Sequence, residues 1–222
     1  MSESISFLPF WDALTDSEKA AINHSVFIQK YEKGTVIHQY SGNCIGLNIL
    51  QKGRARIFIT SPEGDEITLC RLLEGEVCIL SAACMIHNLN FDIDIAYEED
   101  TESCIIPKDV FKAVSDTNPS VKDFTLGMVA NNFSIIMDRF NQFAFSSMRN
   151  RLSNALLEHY RLEKSRTLHL THDALARDLG TAREVVTRLL NQFQSEGLVP
   201  TSPFRPRSGA PPYSLASTPL SS

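Results

Sequence analysis

The sequence contains no apolar run that approaches the roughly 18 residues needed to span a bilayer. Its first residues, Met1–Leu14, lack the basic region and apolar stretch of a secretory signal. We therefore expect a cytoplasmic protein with no membrane partner, in which thiols stay reduced. An odd number of cysteines without framework spacing argues against a structural disulfide set; the five are Cys44, Cys70, Cys78, Cys84 and Cys104.

Motifs that carry catalysis are also absent from the sequence. It has no P-loop, no G-x-S-x-G, no H-E-x-x-H and no Cys/His zinc spacing. We therefore predict that the protein is not an enzyme and has neither catalytic residues nor a metal site.

Positive charge is scarce overall, since the net charge is -5, but it is distributed unevenly. Residues 1–148 contain 11 Lys and Arg against 20 Asp and Glu, whereas residues 149–222 contain 10 against 6. An acidic body joined to a basic C-terminal part is expected when only one part meets phosphate.

Short segments rich in β-branched and apolar residues occupy the first half of the chain. Glycine- and proline-containing turns separate them at roughly 8–12-residue spacing, which is typical of an all-β barrel or roll. The predicted strands are Val26–Gln29, Thr35–His38, Ile45–Leu50, Ala55–Thr60, Ile67–Leu72, Asp92–Ala96 and Cys104–Ile106.

A long helix is predicted over residues 118–148, with Pro119 in its first turn. Apolar residues recur in it at alternating intervals of three and four, which is the pattern of a heptad seam. The helix could pack on its own domain, but the length and the aromatic residues of the seam favour a dimer contact. The seam residues are Leu126, Val129, Phe133, Ile136, Phe140 and Phe143.

The segment Leu170–Val199 has the pattern of a helix-turn-helix. Thr171 is a good N-cap for a helix over Asp173–Leu179, and Gly180 follows where a left-handed stop is needed. Thr181 is then expected to cap a second helix, Ala182–Ser195. Two short helices joined by a glycine turn are the unit that docks into the DNA major groove.

The second helix carries polar residues near its N-terminal end, the end that meets base edges; they are Arg183, Glu184, Thr187 and Arg188. Arg pairs with guanine and Glu accepts from cytosine, so we expect these residues to contact bases. Thr171 and Thr181 are suited to phosphate contacts, and His169 and His172 lie close enough in sequence to add to them. The alternative is a solvated face with an ordinary Glu184–Arg188 pair.

This order of elements resembles the CRP/FNR family of bacterial transcription regulators. Lys30–Gln39 looks like the family's early roll strands, Gln51–Ile57 and Pro62–Thr68 like its central hairpin and turn, and Gly180–Arg188 like its recognition-helix motif. The resemblance implies an α+β protein with a cupin-like β-roll sensor domain of the cyclic-nucleotide-binding type over residues 1–117. A dimerisation helix over 118–148 and a C-terminal winged-helix-type helix-turn-helix over 149–199 would follow.

The resemblance also implies a function. We predict a DNA-binding transcription factor that responds to a small effector or redox signal as a homodimer reading a near-palindromic operator. Arg183, Glu184 and Arg188 would read bases, in a half-site similar to TGTGA, and RNA polymerase would be a further partner. The alternative is an effector-binding sensor module whose DNA binding is impaired by an abnormal C-terminus.

The expected effector pocket departs from the family's cyclic-nucleotide pattern. Gly75 and Glu76 begin the phosphate cassette, but no Arg or Lys occurs between Arg71 and Lys108. A cyclic phosphate would lack its charge partner, which disfavours cAMP, although backbone N–H groups alone can bind an anion. The cofactor is therefore unknown, and the pocket candidates are Gly75, Glu76, Cys78, Ser81, Ala82 and Cys84.

The same stretch is rich in sulfur. A redox, haem or iron–sulfur sensor is one interpretation of Cys70, Cys78 and Cys84. Packing is the alternative that we favour, because free cysteine is a routine buried apolar residue.

The tail over residues 200–222 is rich in proline and serine where the family has a wing hairpin. The composition predicts an extended or disordered segment and an atypical or missing wing. Two interpretations remain open: a basic arm that touches phosphate through Arg205 and Arg207, or a frameshifted end that leaves the winged helix incomplete.

Overall fold

The computed structural model describes residues 5–39, 46–78, 92–164, 167–199 and 213–214. The chain divides into two compact units. The first, called here the roll unit, comprises Met1–Ile59 and Leu69–Arg139. The second, the C-terminal unit, comprises Thr60–Thr68 and Phe140–Ser222. The short segment Thr60–Thr68, which the sequence placed in the sensor domain, thus belongs to the compact unit that holds the helix-turn-helix.

Two antiparallel sheets form the roll. One has the strand order β1-β7-β3 and the other β2-β6-β4-β5. Ile28 of β1 and Ile49 of β3 both pair with Cys104 of β7, and Ile37 of β2 and Ile57 of β4 both pair with Ile95 of β6. The strands are β1 Phe27–Tyr31, β2 Val36–Gln39, β3 Gly46–Lys52, β4 Ala55–Thr60, β5 Glu66–Leu72, β6 Ile93–Tyr97 and β7 Thr101–Pro107.

Strand periodicity explains the two cores of this unit. Alternate residues of β7, Cys104 and Ile106, face a cluster completed by the N-terminal segment and the helices α1 (Asp16–Ser25) and α2 (Lys108–Thr117). The second cluster lies inside the roll and contains Leu50, Ile57, Leu72, Cys78, Ile93, Ile95 and Tyr97. A capping box between Thr15 and Glu18 starts α1.

The long helix α3 spans Pro119–Phe145, with Pro119 as its first residue as predicted. It ends before Met148, where the sequence analysis placed its end, because Ser147 is extended and its side chain accepts a hydrogen bond from the N–H of Asn150. That cap starts α4 at Met148, and α4 continues to Glu163. Val121 and Thr125 of α3 are buried, and Phe124 and Met128 pack on the first core.

Three helices build the core of the C-terminal unit: α4, α5 (His172–Leu179) and α6 (Arg183–Ser195). Their apolar faces meet in one cluster that includes Leu152, Leu156, Leu175, Leu179, Val186, Leu190 and Phe193. The strand β8 (Thr167–Leu168) pairs antiparallel with β9 (Tyr213–Ser214). Part of the proline-rich tail is therefore a strand where we expected only extended or disordered chain, because β8 offers it a backbone partner. The tail's remaining residues, including Arg205 and Arg207, lie outside the described residues.

Among the helices of the described residues, none combines the length and the hydropathy that a membrane span requires. The observed arrangement confirms the predicted α+β class, with an N-terminal antiparallel roll and a C-terminal helix-turn-helix.

Candidate nucleic-acid interface

The turn between α5 and α6 forms as the sequence predicts at its first half. Thr171 caps α5, since its hydroxyl accepts the N–H of Ala174 at 3.0 Å. Gly180 adopts a φ of +59°, and its N–H closes the helix on the carbonyls of Ala176 and Arg177. A left-handed residue at this position is cheapest as glycine, because it has no Cβ.

The second half of the turn differs from the prediction. Thr181 is not the N-cap of α6; Ala182 occupies that position and makes no side-chain cap bond. The N–H of Thr181 bonds the Ala176 carbonyl at 3.1 Å, so Thr181 completes the stop of α5 and α6 starts one residue later. Thr181 keeps a half-exposed side chain near the start of α6.

The solvent face of α6 carries the predicted base-contacting residues. Arg183, Glu184 and Arg188 are exposed, Thr187 is half-buried, and all four line one shallow groove together with Asn191. In the described parts of the chain, the side chains of Glu184 and Arg188 make no hydrogen bond or ion pair, so the alternative Glu184–Arg188 pair is not formed. Asn191 was not among the predicted residues, although helical spacing from Arg188 places it on the same face.

Arg183 is only loosely held. Its Nε lies 3.7 Å from Oδ1 of Asp173, and the two side chains are 49% and 62% exposed. An exposed pair at this distance contributes little and is screened by salt. The guanidinium of Arg183 is therefore free to turn toward another acceptor.

His172 is buried instead of facing phosphate, contrary to our expectation. Its Nδ1 lies 2.7 Å from Oγ1 of Thr187, and that hydroxyl donates to the Arg183 carbonyl at 3.0 Å. Because the one hydroxyl proton is used there, we assign the proton of the inter-helix bond to His172 Nδ1. Burial, followed by the charge of Arg183, lowers the pKa of His172, and Asp173 opposes the shift.

The tip of the β4–β5 hairpin forms a second border of this surface. Its residues share a cleft with the start of α6; the lining is Gly64, Asp65, Glu66, Asp173, Ala176, Arg177, Thr181, Ala182 and Arg183. No local signal in the sequence connects the hairpin to the helix-turn-helix, because strand periodicity does not say which distant element a turn will meet.

The effector-pocket candidates are only partly described. Gly75 is a turn residue with a φ of +83°, and its N–H donates to the Leu50 carbonyl at 2.8 Å. The carboxylate of Glu76 accepts the N–H of Leu73 at 2.9 Å, so it serves the local turn. Cys78 is buried in the roll core. Ser81, Ala82 and Cys84 lie outside the described residues.

The described cysteines carry thiols in packed surroundings. Cys78 and Cys104 are buried and Cys70 is half-buried. Burial raises the pKa of Cys104 to about 11, which keeps it a protonated, unreactive thiol. Among the described residues, no group of three His, Cys, Asp or Glu side chains could hold a metal ion.

The predicted dimer seam is a continuous apolar strip on α3. Five of its members are exposed in the single chain: Leu126 (57%), Phe133 (65%), Ile136 (47%), Phe140 (57%) and Phe143 (54%). Val129 is half-buried. An exposed apolar strip of this kind is typical of protein–protein contacts.

Comparison with known families identifies both halves of the chain. The cyclic nucleotide-binding domain family matches residues 28–118, and the Crp-like helix-turn-helix domain family matches residues 150–205. The fold and the site therefore define a regulator that combines an effector-binding domain with a DNA-binding helix-turn-helix.

Whole-chain relatives make the identification specific. A crystal structure of a transcriptional regulator of the Crp/Fnr family from Eubacterium rectale is 34% identical, covers 95% of this chain and 94% of its own, and superimposes with a TM-score of 0.85. The cyclic AMP receptor protein of Thermus thermophilus is 26% identical over 78% of this chain and 79% of its own. The c-di-GMP responsive regulator CLP of Xanthomonas campestris, 15% identical with a TM-score of 0.73 over 92% and 100% of the two chains, shares the fold.

The chain belongs to the CRP/FNR family. Members of this family are transcription regulators and not enzymes; they bind DNA and are dimers. The resemblance inferred from the sequence is thereby confirmed.

Proposed function

We propose that this protein regulates transcription as a homodimer that reads a near-palindromic operator in response to a small effector or redox signal. The observation that carries the proposal is the outward face of α6, where Arg183, Glu184 and Arg188 are exposed within one groove.

Base reading follows from the chemistry of that face. Arg183 and Arg188 can each make a bidentate contact to guanine, and Glu184 can accept from the amino group of cytosine. The hydroxyl of Thr187 is engaged by His172, so the contribution of Thr187 to a base contact would come from its methyl group, which suits thymine. Asn191 adds an amide one turn further along α6.

Phosphate contacts would orient this helix in the groove. Thr171 is the N-cap of α5, and Thr181 lies two residues before the first residue of α6. Backbone N–H groups and the helix dipole favour an anion at both places. The net positive charge of residues 149–222 supports the same orientation.

Dimerisation through α3 supplies the second half-site. Covering the strip from Leu126 to Phe143 in a second copy would remove several large aromatic side chains from water. A two-fold dimer of this kind reads a two-fold operator. RNA polymerase is the partner that a regulator bound beside a promoter would meet.

Two of the relatives are named for a cyclic nucleotide, one for cyclic AMP and the other for c-di-GMP. In this chain the stretch between Arg71 and Lys108 lacks a basic residue, so the charge partner of a cyclic phosphate is missing. We therefore propose an effector other than cAMP. A thiol-based signal would have to act through Cys70 or the cysteines outside the described residues, because Cys78 and Cys104 are buried and burial raises the pKa of Cys104.

Selection from a randomised duplex pool tests the proposal. Purified wild-type protein is compared with Arg183→Ala and with Arg161→Ala, which removes the same charge from an exposed position on α4. We expect a two-fold-symmetric motif that Arg183→Ala blurs at one base pair per half-site, with an affinity loss of about 5- to 100-fold. Arg161→Ala should keep the motif.

Absence of enrichment, with reductant and oxidant both tried, would contradict operator reading by the effector-free protein and leave an obligatory effector as the condition to test. It would favour the alternative of an effector-binding module with impaired DNA binding.

A further inference from the structure

The β4–β5 hairpin meets the helix-turn-helix through a buried polar joint, defined here as Thr68, Asp178 and His159. The hydroxyl of Thr68 donates to Oδ1 of Asp178 at 2.7 Å. Nε2 of His159 lies 2.8 Å from Oδ2 of the same carboxylate. Thr68 is 4% exposed, and the side chains of His159 and Asp178 are 8% and 7% exposed. Both oxygens of a buried carboxylate are thus held by groups from two other elements.

The carboxylate of Asp178 lies at the C-terminal end of α5, next to the turn that leads into α6. Asp178 is the penultimate residue of α5, two residues before the left-handed Gly180 that turns the chain into α6. A carboxylate fixed by α4 and by β5 therefore fixes the end of α5 and, through the short turn, the start of the recognition helix.

Backbone contacts at the same place support this arrangement. Ile67 and Leu179 form an isolated antiparallel bridge directly beside the joint. A guanidinium nitrogen of Arg151 donates to the Leu179 carbonyl. At Gly180, a Cβ would lie only 2.4 Å from Cγ1 of Ile67, so the hairpin and the turn are in close contact.

We propose that Thr68 is a positioning residue for DNA reading, which acts through Asp178 to hold the recognition helix in its DNA-competent orientation. This rests on the proposed function. Without the hydroxyl, one oxygen of a buried carboxylate loses a partner, and the end of α5 is free to shift. Thr68 lies in β5, the strand that continues to Leu72 of the second cluster.

Affinity for two kinds of duplex separates positioning from general destabilisation. Thr68→Val keeps the shape and removes the hydroxyl. We expect it to weaken binding to the selected operator by about tenfold, as for a lost hydrogen bond to a charged group, while binding to a non-specific duplex changes by less than about twofold. Thr68→Ser, which restores the hydroxyl, should return operator affinity to within about threefold of wild type.

Two further variants control the comparison. Thr125→Val removes a similarly buried hydroxyl, bonded at 2.8 Å to the Val121 carbonyl in α3, and should leave the ratio of specific to non-specific affinity unchanged. Asp178→Asn should lower that ratio, and its combination with Thr68→Val should cost no more than the larger single loss, because both act on one contact.

Amide hydrogen exchange measures, without DNA, how firmly the turn after α5 is held. The amides of Gly180 and Thr181 bond carbonyls of α5, and we expect Thr68→Val to speed their exchange by about tenfold relative to amides in the middle of α5. Unchanged exchange, an unchanged or increased operator affinity, or an equal loss on both duplexes would overturn the proposal. If wild-type protein selects no operator, the DNA-reading function fails and the exchange rates alone decide whether Thr68 positions the turn.

Discussion

The imidazole of His172 on α5 and the hydroxyl of Thr187 on α6 lie 2.7 Å apart and join the two helices of the helix-turn-helix. The same hydroxyl donates to the Arg183 carbonyl, so the bond reaches the first residue of the recognition helix. A residue expected to touch phosphate therefore acts inside the motif.

We predict a pH dependence of stability from His172. Its pKa is lowered below the ordinary value of 6.5, so below that pH the unfolded chain binds a proton more readily than the folded one. The free energy of unfolding of the C-terminal unit should therefore decrease as the pH falls through 6.5 and on toward the lowered pKa. Urea denaturation at several pH values measures it. His172→Gln should reduce the slope, whereas the exposed His169→Gln should not; a wild-type slope retained in His172→Gln contradicts the assignment.

The seam on α3 predicts the oligomeric state. Phe133→Glu or Phe140→Glu should weaken the dimer by about 100-fold or more, because each lost aromatic contact of about 1.5–3 kcal/mol occurs twice in a symmetric dimer. Sedimentation equilibrium measures the change. Phe145→Glu is the control, since Phe145 is 82% exposed but lies off the heptad spacing. Equal dissociation by all three variants would show that the seam is wrongly assigned.

Gly180 predicts a stability difference between two glycines. Gly180→Ala should lower the free energy of unfolding by about 2–4 kcal/mol, because a left-handed φ is strained for alanine and the new Cβ meets Ile67. Gly197 has a φ of +74°, and a Cβ there would meet no atom of the described residues within 4 Å, so Gly197→Ala should cost only about 1 kcal/mol. Thermal or urea unfolding gives both values. Equal losses would mean that the hairpin does not press on the turn.

We predict that neutralising the acidic hairpin tip raises operator affinity, whereas removing the Thr68 hydroxyl lowers it. Asp65 shares a cleft with Thr181 and Arg183, so its charge should repel DNA phosphates. Asp65→Asn should raise operator affinity by about two- to fivefold at low salt and less at high salt, where charges are screened. Fluorescence anisotropy at two salt concentrations measures it. Glu32→Gln removes an equal charge from an exposed position in the roll unit and should have a smaller effect on operator affinity. Equal effects of the two variants would show that the charge at the hairpin tip does not act on the DNA locally.

Local rules explain what could be predicted. The N-cap at Thr171, the stop at Gly180, the first turn at Pro119 and the outward residues of α6 depend on contacts within about one helical turn, which a sequence displays directly. The start of α6, one residue later than predicted, shows how closely such rules place a helix end. Ala182, and not Thr181, occupies the N-cap position, because the N–H of Thr181 donates to the Ala176 carbonyl at the end of α5.

Local patterns were enough to predict the class of the protein: a roll of short strands, a long helix with an apolar seam, and a helix-turn-helix with a polar outer face. Three features became visible only in the folded chain: His172 is buried, Thr68 bonds Asp178 across 110 residues, and the hairpin tip borders the recognition helix. The reason is physical: periodicity and caps specify which face of an element is apolar, whereas pairing between distant polar groups depends on how those faces are brought together.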